Sequence, residues 1–64
     1  MLRDSREIIQ RLQRDGFELI SVKGSHHKFR NKTSSRTVIV PHPKRDMPIG
    51  TAKAIYAQAR WKRD

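Results

Sequence analysis

The chain has no cysteine, and it has only 64 residues in which to do without one. A chain this short buries only about 60% of the surface that its unfolded form exposes, so its core is thin and nothing covalent can reinforce it. The missing thiols also exclude a disulfide-stapled secreted scaffold, a thiolate zinc module and a cysteine enzyme. What remains is one small domain, residues 1–64, held by apolar packing alone. Only 34% of the residues are hydrophobic, so each apolar stripe has to be placed economically. No apolar run approaches the roughly 20 residues that span a bilayer. The opening residues, MLRDSREII, lack the apolar stretch of a signal peptide, so the expected location is cytoplasmic and no membrane is expected as a partner.

The charges are segregated. In residues 1–18, Arg3, Arg6, Arg11 and Arg14 are cancelled by Asp4, Glu7, Asp15 and Glu18, so the whole surplus behind the formal charge of +9 lies downstream. No acidic residue occurs between Glu18 and Asp46, a stretch that holds Lys23, Lys28, Arg30, Lys32, Arg36, Lys44, Arg45 and all three histidines. An uninterrupted cationic stretch concentrates polyanions and speeds their capture. Nucleic acid is the expected partner. A basic surface that serves only solubility is the plainer alternative.

Residues 5–15 read as an amphipathic helix, with Ile8, Ile9 and Leu12 in one stripe. Asp4 with Glu7 has the spacing of an N-cap and its partner, and Asp15-Gly16 closes the helix. Residues 18–22, 26–30 and 36–40 read as strands, the first two joined by the turn residues Lys23-Gly24-Ser25, and Pro41 is expected to end the third. The stretch 41–47 reads as a loop. Pro48 opens a second helix in which Ile49, Ala52, Ile55, Tyr56 and Ala59 recur near helical spacing. The order is α-β-β-β-α, an α+β fold in which short links favour a three-stranded antiparallel sheet with both helices on one face.

Strand alternation then sorts the central strand. Phe29 is its large apolar residue and should face the helices, which puts His27 and Asn31 on that side and His26, Lys28 and Arg30 on the open one. A single bulge in this strand would exchange the two sets. An imidazole between cations on a wet sheet face is a plausible phosphate site. His27 is more simply a half-buried histidine near Phe29, and His42 a loop histidine, a substrate contact or a second acid. The three histidines fit no standard zinc spacing, so neither a metal nor another cofactor is expected. Ser25 next to His26 does not make a nucleophile pair, because adjacent strand residues point oppositely; a turn or phosphate-binding hydroxyl suits it better. Gly24 is expected to supply a backbone conformation or a close approach. Tyr56 reads as partly core, and Trp61 as a partner contact or a cap on the core.

The segment Gly24-Ser25-His26-His27-Lys28-Phe29, the strand ending Val38-Ile39-Val40-Pro41-His42, and Pro48-Ile49-Gly50-Thr51-Ala52-Lys53-Ala54-Ile55 resemble, in that order, the HicA family of toxin endoribonucleases. The short first helix followed by Asp15-Gly16-Phe17 fits the same pattern. The resemblance implies a double-stranded-RNA-binding-domain-like fold, cleavage of mRNA by a single histidine without a metal, and neutralisation by a HicB-type antitoxin that covers the active face. The family histidine maps onto His26, with His27 as the alternative. Lys23, Gly24, Ser25, Lys28 and Arg30 are the expected RNA-binding residues around it. A non-catalytic RNA-binding module using the same basic face is the competing reading, and a basic module for an acidic protein surface a third. One departure is the run Ala59-Arg60-Trp61, where relatives often carry a glycine at the end of the last helix.

Overall fold

In the computed structural model, which describes residues 1–63, helix α1 spans Ser5–Arg14 and helix α2 spans Ile49–Ala59. Between them lie the strands β1 (Phe17–Lys23), β2 (His26–Asn31) and β3 (Thr37–Pro41). The Asp4 carboxylate accepts the Arg6 N–H at 2.9 Å and so satisfies one of the free donors of the first turn of α1. Ile8 and Leu12, one turn apart, are fully buried, while Ile9 is only half-buried. The Asp15 N–H bonds back to the Arg11 and Leu12 carbonyls, and Gly16 then takes a φ of +92°, which turns the chain so that Phe17 is buried at the start of β1.

The three strands form one antiparallel sheet in chain order. Lys23 pairs with His26, so the hairpin between β1 and β2 has Gly24 and Ser25 at its tip. Gly24 has φ +56°, and a Cβ built there would meet nothing within 4 Å. Glycine is therefore favoured by the left-handed backbone of the tight turn and not by crowding. The sheet does contain a bulge, but it lies in β1, between Leu19 and Ser21. β2 is regular, and its alternation follows the sequence: Phe29 is buried, His27 and Asn31 are half-buried, and His26, Lys28 and Arg30 are exposed. From β3, Val38 and Val40 join Phe29 against the helices. The observed strands run one residue past the expected ends in places. Pro41, expected as a terminator, is the last residue of β3 and pairs with His26.

Residues 42–48 are a loop in backbone but not in burial. Met47 is completely buried within the core, and the segment is tied to the N-terminus through Met47 N–H to Arg3 O (3.0 Å) and Ser5 N–H to Lys44 O (2.8 Å). In α2, Ala52, Ile55, Tyr56 and Ala59 form the buried stripe. The Tyr56 hydroxyl accepts the Leu2 N–H at 2.7 Å, which allows a polar atom deep in the core. Gln58 reaches sideways, its Oε1 accepting the Ile39 N–H at 3.0 Å on the outer margin of β3.

α2 ends in a left-handed Arg60 (φ 58°, ψ 41°), with Arg60 N–H bonded to Ala57 O and Trp61 N–H to Tyr56 O. This pair of bonds is the Schellman arrangement, in which glycine is the usual left-handed residue. The departure at Ala59-Arg60-Trp61 thus leaves the helix end intact and places an arginine in a glycine conformation. Trp61 folds back on the core with its ring perpendicular to Tyr56 at 5.2 Å and the Arg11 guanidinium 4.3 Å from its centre, so it caps the core. Among the described residues no helix is long and apolar enough to cross a membrane.

Candidate functional site

The helices cover one side of the sheet, and Lys23, His26, Lys28 and Arg30 from the cationic stretch are displayed on the other. The register puts Lys23, His26 and Pro41 in one row across the strands, and Ser21, Lys28 and Ile39 in the next. Residues paired across antiparallel strands point to the same side. Ser21, Lys23, His26, Lys28 and Ile39 accordingly line a shallow depression of about 270 Å³. The imidazole of His26 is exposed there, with an ammonium group available from each of two strands. A dianionic or transition-state phosphate is the natural complement of such a set.

The sequence-expected residues divide. Lys23 and Lys28 stand with His26 around the depression. Gly24 and Ser25 form the turn at its end, where the Ser25 carbonyl accepts the His42 N–H at 2.7 Å. Arg30 shares the open side but sits a further row along, between Glu18 and Thr37. It is four residues from His26, or roughly 13 Å along a strand. It can hold a neighbouring phosphate of an extended polymer but does not reach the same one. Ser21 and Ile39 were not singled out from the sequence. Their place follows only from the strand register, with the β1 bulge deciding that Ser21 and not Ile20 pairs with Lys28.

His27 lies on the opposite side from His26. It is half-buried, its Nδ1–H donates to the Ser25 carbonyl at 3.3 Å, and its ring meets that of His42 edge to face at 4.9 Å. His42 is more than a loop residue: its Nδ1 lies 2.7 Å from the Oγ of the buried Ser5, which also accepts the Lys44 N–H at 2.9 Å. A larger hollow of about 720 Å³ runs beside α1, with Asp4, Glu7, Gln10 and His42 among its lining. Arg6 lines it too, but is paired with Asp4 at 3.4 Å, and Glu7 leaves the hollow without the cationic surplus of the open face. The Asp4 carboxyl is held below its ordinary value of 3.8, first by the Arg6 main-chain N–H and then by the Arg6 guanidinium. Among the described residues no three His, Asp or Glu side chains converge as a metal ion would require.

No curated protein matches the chain. The family model for the HicA toxin of bacterial toxin–antitoxin systems matches residues 5–61, from the first residue of α1 to the tryptophan that caps the core. With that match spanning the helix–sheet–helix unit and every residue of the open cationic face, the chain belongs to the HicA toxin family.

Proposed function

We propose that this toxin is an endoribonuclease that cuts mRNA in the cytoplasm, with His26 as its catalytic residue. The observation that supports this most directly is the exposed His26 imidazole on the wet side of the sheet, in one depression with Lys23 and Lys28. RNA carries its own nucleophile. His26 removes the 2′-OH proton, the 2′-oxygen attacks the adjacent phosphorus, and the P–O5′ bond breaks. The leaving 5′-oxygen takes a proton from water in the open depression. The products are a 2′,3′-cyclic phosphate and a 5′-hydroxyl end, and no metal is needed. Histidine is the side chain suited by its chemistry to take and return protons at cellular pH. Lys28 and Lys23 stabilise the charge that builds on the phosphoryl oxygens. Arg30 and the Gly24-Ser25 turn hold the strand on either side.

Flexible single strands are the expected substrate, because a duplex holds the 2′-OH away from in-line attack. A single proton-transfer group implies modest turnover. The cognate antitoxin, of HicB type, neutralises the toxin by covering the same open face. The decisive experiment incubates the parent and His26→Ala with single-stranded RNA in EDTA. The variant should fold as the parent does and lose about 10²–10⁴-fold in cleavage. A His26→Ala protein that cuts at the parental rate overturns the assignment. Tight RNA binding without cleavage by the parent would leave a non-catalytic RNA-binding module instead.

A further inference from the structure

Two histidines outside the depression converge on one peptide group, and it is the one that carries His26. The carbonyl of Ser25 belongs to the peptide unit joining Ser25 to His26. It accepts the main-chain N–H of His42 at 2.7 Å and the Nδ1–H of His27 at 3.3 Å. Fixing the plane of that peptide restricts ψ of Ser25 and φ of His26, and these set the direction of the His26 Cα–Cβ bond. The strand ladder holds His26 itself, which pairs with Lys23 and Pro41, but the tip beyond it is thinly supported. Gly24 is open on all sides and contributes no side chain, and Ser25 and His26 are both exposed.

His42 is itself anchored. Ser5 is fully buried, and its Oγ accepts the Lys44 N–H at 2.9 Å. The Oγ lies 2.7 Å from Nδ1 of His42, and with the ring as its Nε2–H tautomer the buried hydroxyl donates its proton there. The His42 ring in turn presents to the His27 ring at 4.9 Å and 88°. Since the His27 Nδ1–H is engaged by Ser25, both rings are held in one arrangement. The chain of contacts runs from the start of α1, through the end of β3, to the tip of the β1–β2 hairpin.

We propose that His42, acting with His27, is a positioning residue that braces the Ser25–His26 peptide and so aims the His26 imidazole into the depression. The inference rests on His26 being the group that acts on RNA. It assigns His42 no proton transfer and no contact with substrate.

The test uses the full chain and four variants: His26→Ala, His27→Ala, His42→Ala and His42→Asn. The asparagine Oδ1 can stand in for Nδ1 as acceptor of the Ser5 hydroxyl. Single-turnover and steady-state cleavage of single-stranded RNA are measured across pH, together with hydrogen exchange at the His42 amide. His42→Ala keeps the main-chain N–H to Ser25 and deletes only the ring that Ser5 anchors; the loosened brace should lower kcat by ~10- to 100-fold, the scale set by a misplacement of about 1 Å, with KM little changed. His42→Asn should recover most of that loss. The shape of the pH–rate profile should be the same in every His42 variant as in the parent, and the His42 amide should exchange faster in His27→Ala.

Parental kcat in both His42→Ala and His27→Ala, with His26→Ala inactive, overturns the brace. So does a change in the shape of the pH–rate profile in His42→Ala, which would make His42 a proton donor or acceptor. A raised KM at unchanged kcat overturns it too, by making His42 an RNA contact. If His42→Ala does not fold, His27→Ala and His42→Asn decide the matter. A fully active His26→Ala would remove the functional reading instead, while the exchange rate of the His42 amide would still report whether the carbonyl is clamped.

Discussion

The indole N–H of Trp61 donates to the Asp15 carboxylate across 2.7 Å, joining the residue beyond α2 to the residue that caps α1. The two helices have this polar tie in addition to their shared core, and it is made by residues 46 positions apart. Trp61→Phe retains an aromatic ring against Tyr56 and deletes the donor together with part of the ring area under Arg11. The expected cost is about 1 kcal/mol, the net worth of one such hydrogen bond. In a domain of this size that lowers Tm by ~4–8 °C. Unchanged melting would mean that the indole contributes through its ring alone.

Arg60 is the counterpart case, a residue whose own conformation opposes the fold. Its φ of 58° closes the Schellman turn at the end of α2. An L-residue with a Cβ pays roughly 1–2 kcal/mol in that region, and glycine gives part of this back as unfolded-chain entropy. Arg60→Gly should therefore stabilise the protein by ~0.5–1 kcal/mol, visible as a higher Tm. A lower Tm would show that the arginine side chain makes a compensating contact.

On the open face, the lysines should differ in what salt reveals. Lys28 lines the depression beside His26, whereas Lys53 stands on α2. Binding of a non-cleavable 2′-deoxy single strand weakens with salt by about 0.7 in log–log slope for each phosphate neutralised. Lys28→Ala should reduce that slope by ~0.7 and weaken binding at low salt. Lys53→Ala should leave it unchanged. Equal effects of the two substitutions would mean that the net charge, and not the face, governs binding.

The Asp4 cap should make part of the stability acid-sensitive. Its carboxyl is held below 3.8 by the Arg6 main-chain N–H and by the Arg6 side chain. A carboxylate whose value is depressed in the folded state stabilises the fold above its unfolded value, and that contribution is lost as pH falls through the folded one. Asp4→Ala should melt below the parent at neutral pH. The gap should close as the pH drops below 3.8 and the parental carboxylate takes up its proton. A gap that persists at the lowest pH would assign the effect to packing.

Much of this architecture could be read from local signals, because in a chain this small the turns carry the topology. Gly16 and Gly24 both take positive φ where the sequence placed turns, and Phe29, alone of its kind in β2, decided which way His26 would face. The bulge that could have reversed that argument fell in β1, where it altered only which residue pairs with Lys28. What escaped was set by contacts distant in sequence. Nothing local marks Met47 as core, since its burial depends on the N-terminal arm meeting residues 44–47. Ser5 reads as an ordinary helix start, yet it is the buried anchor for His42 37 residues away. Asn31 reads as a turn residue. Its side chain also accepts the Thr33 and Ser34 N–H groups and donates to the Asp15 carbonyl, fastening the β2–β3 loop to the end of α1.

The way Gln58 meets β3 has a consequence for life outside a complex. In an antiparallel ladder, alternate N–H groups point away from the partner strand. On the outer margin of β3 these positions are Thr37, Ile39, whose N–H Gln58 already occupies, and Pro41, which has no N–H to offer. A stray strand approaching from that side finds no free donor at Ile39 or Pro41, which leaves only the Thr37 end of the margin. The far margin is kinked by the bulge in β1, a common defence of exposed sheet borders. Both borders of the sheet are therefore poor templates for pairing with a second copy of the chain.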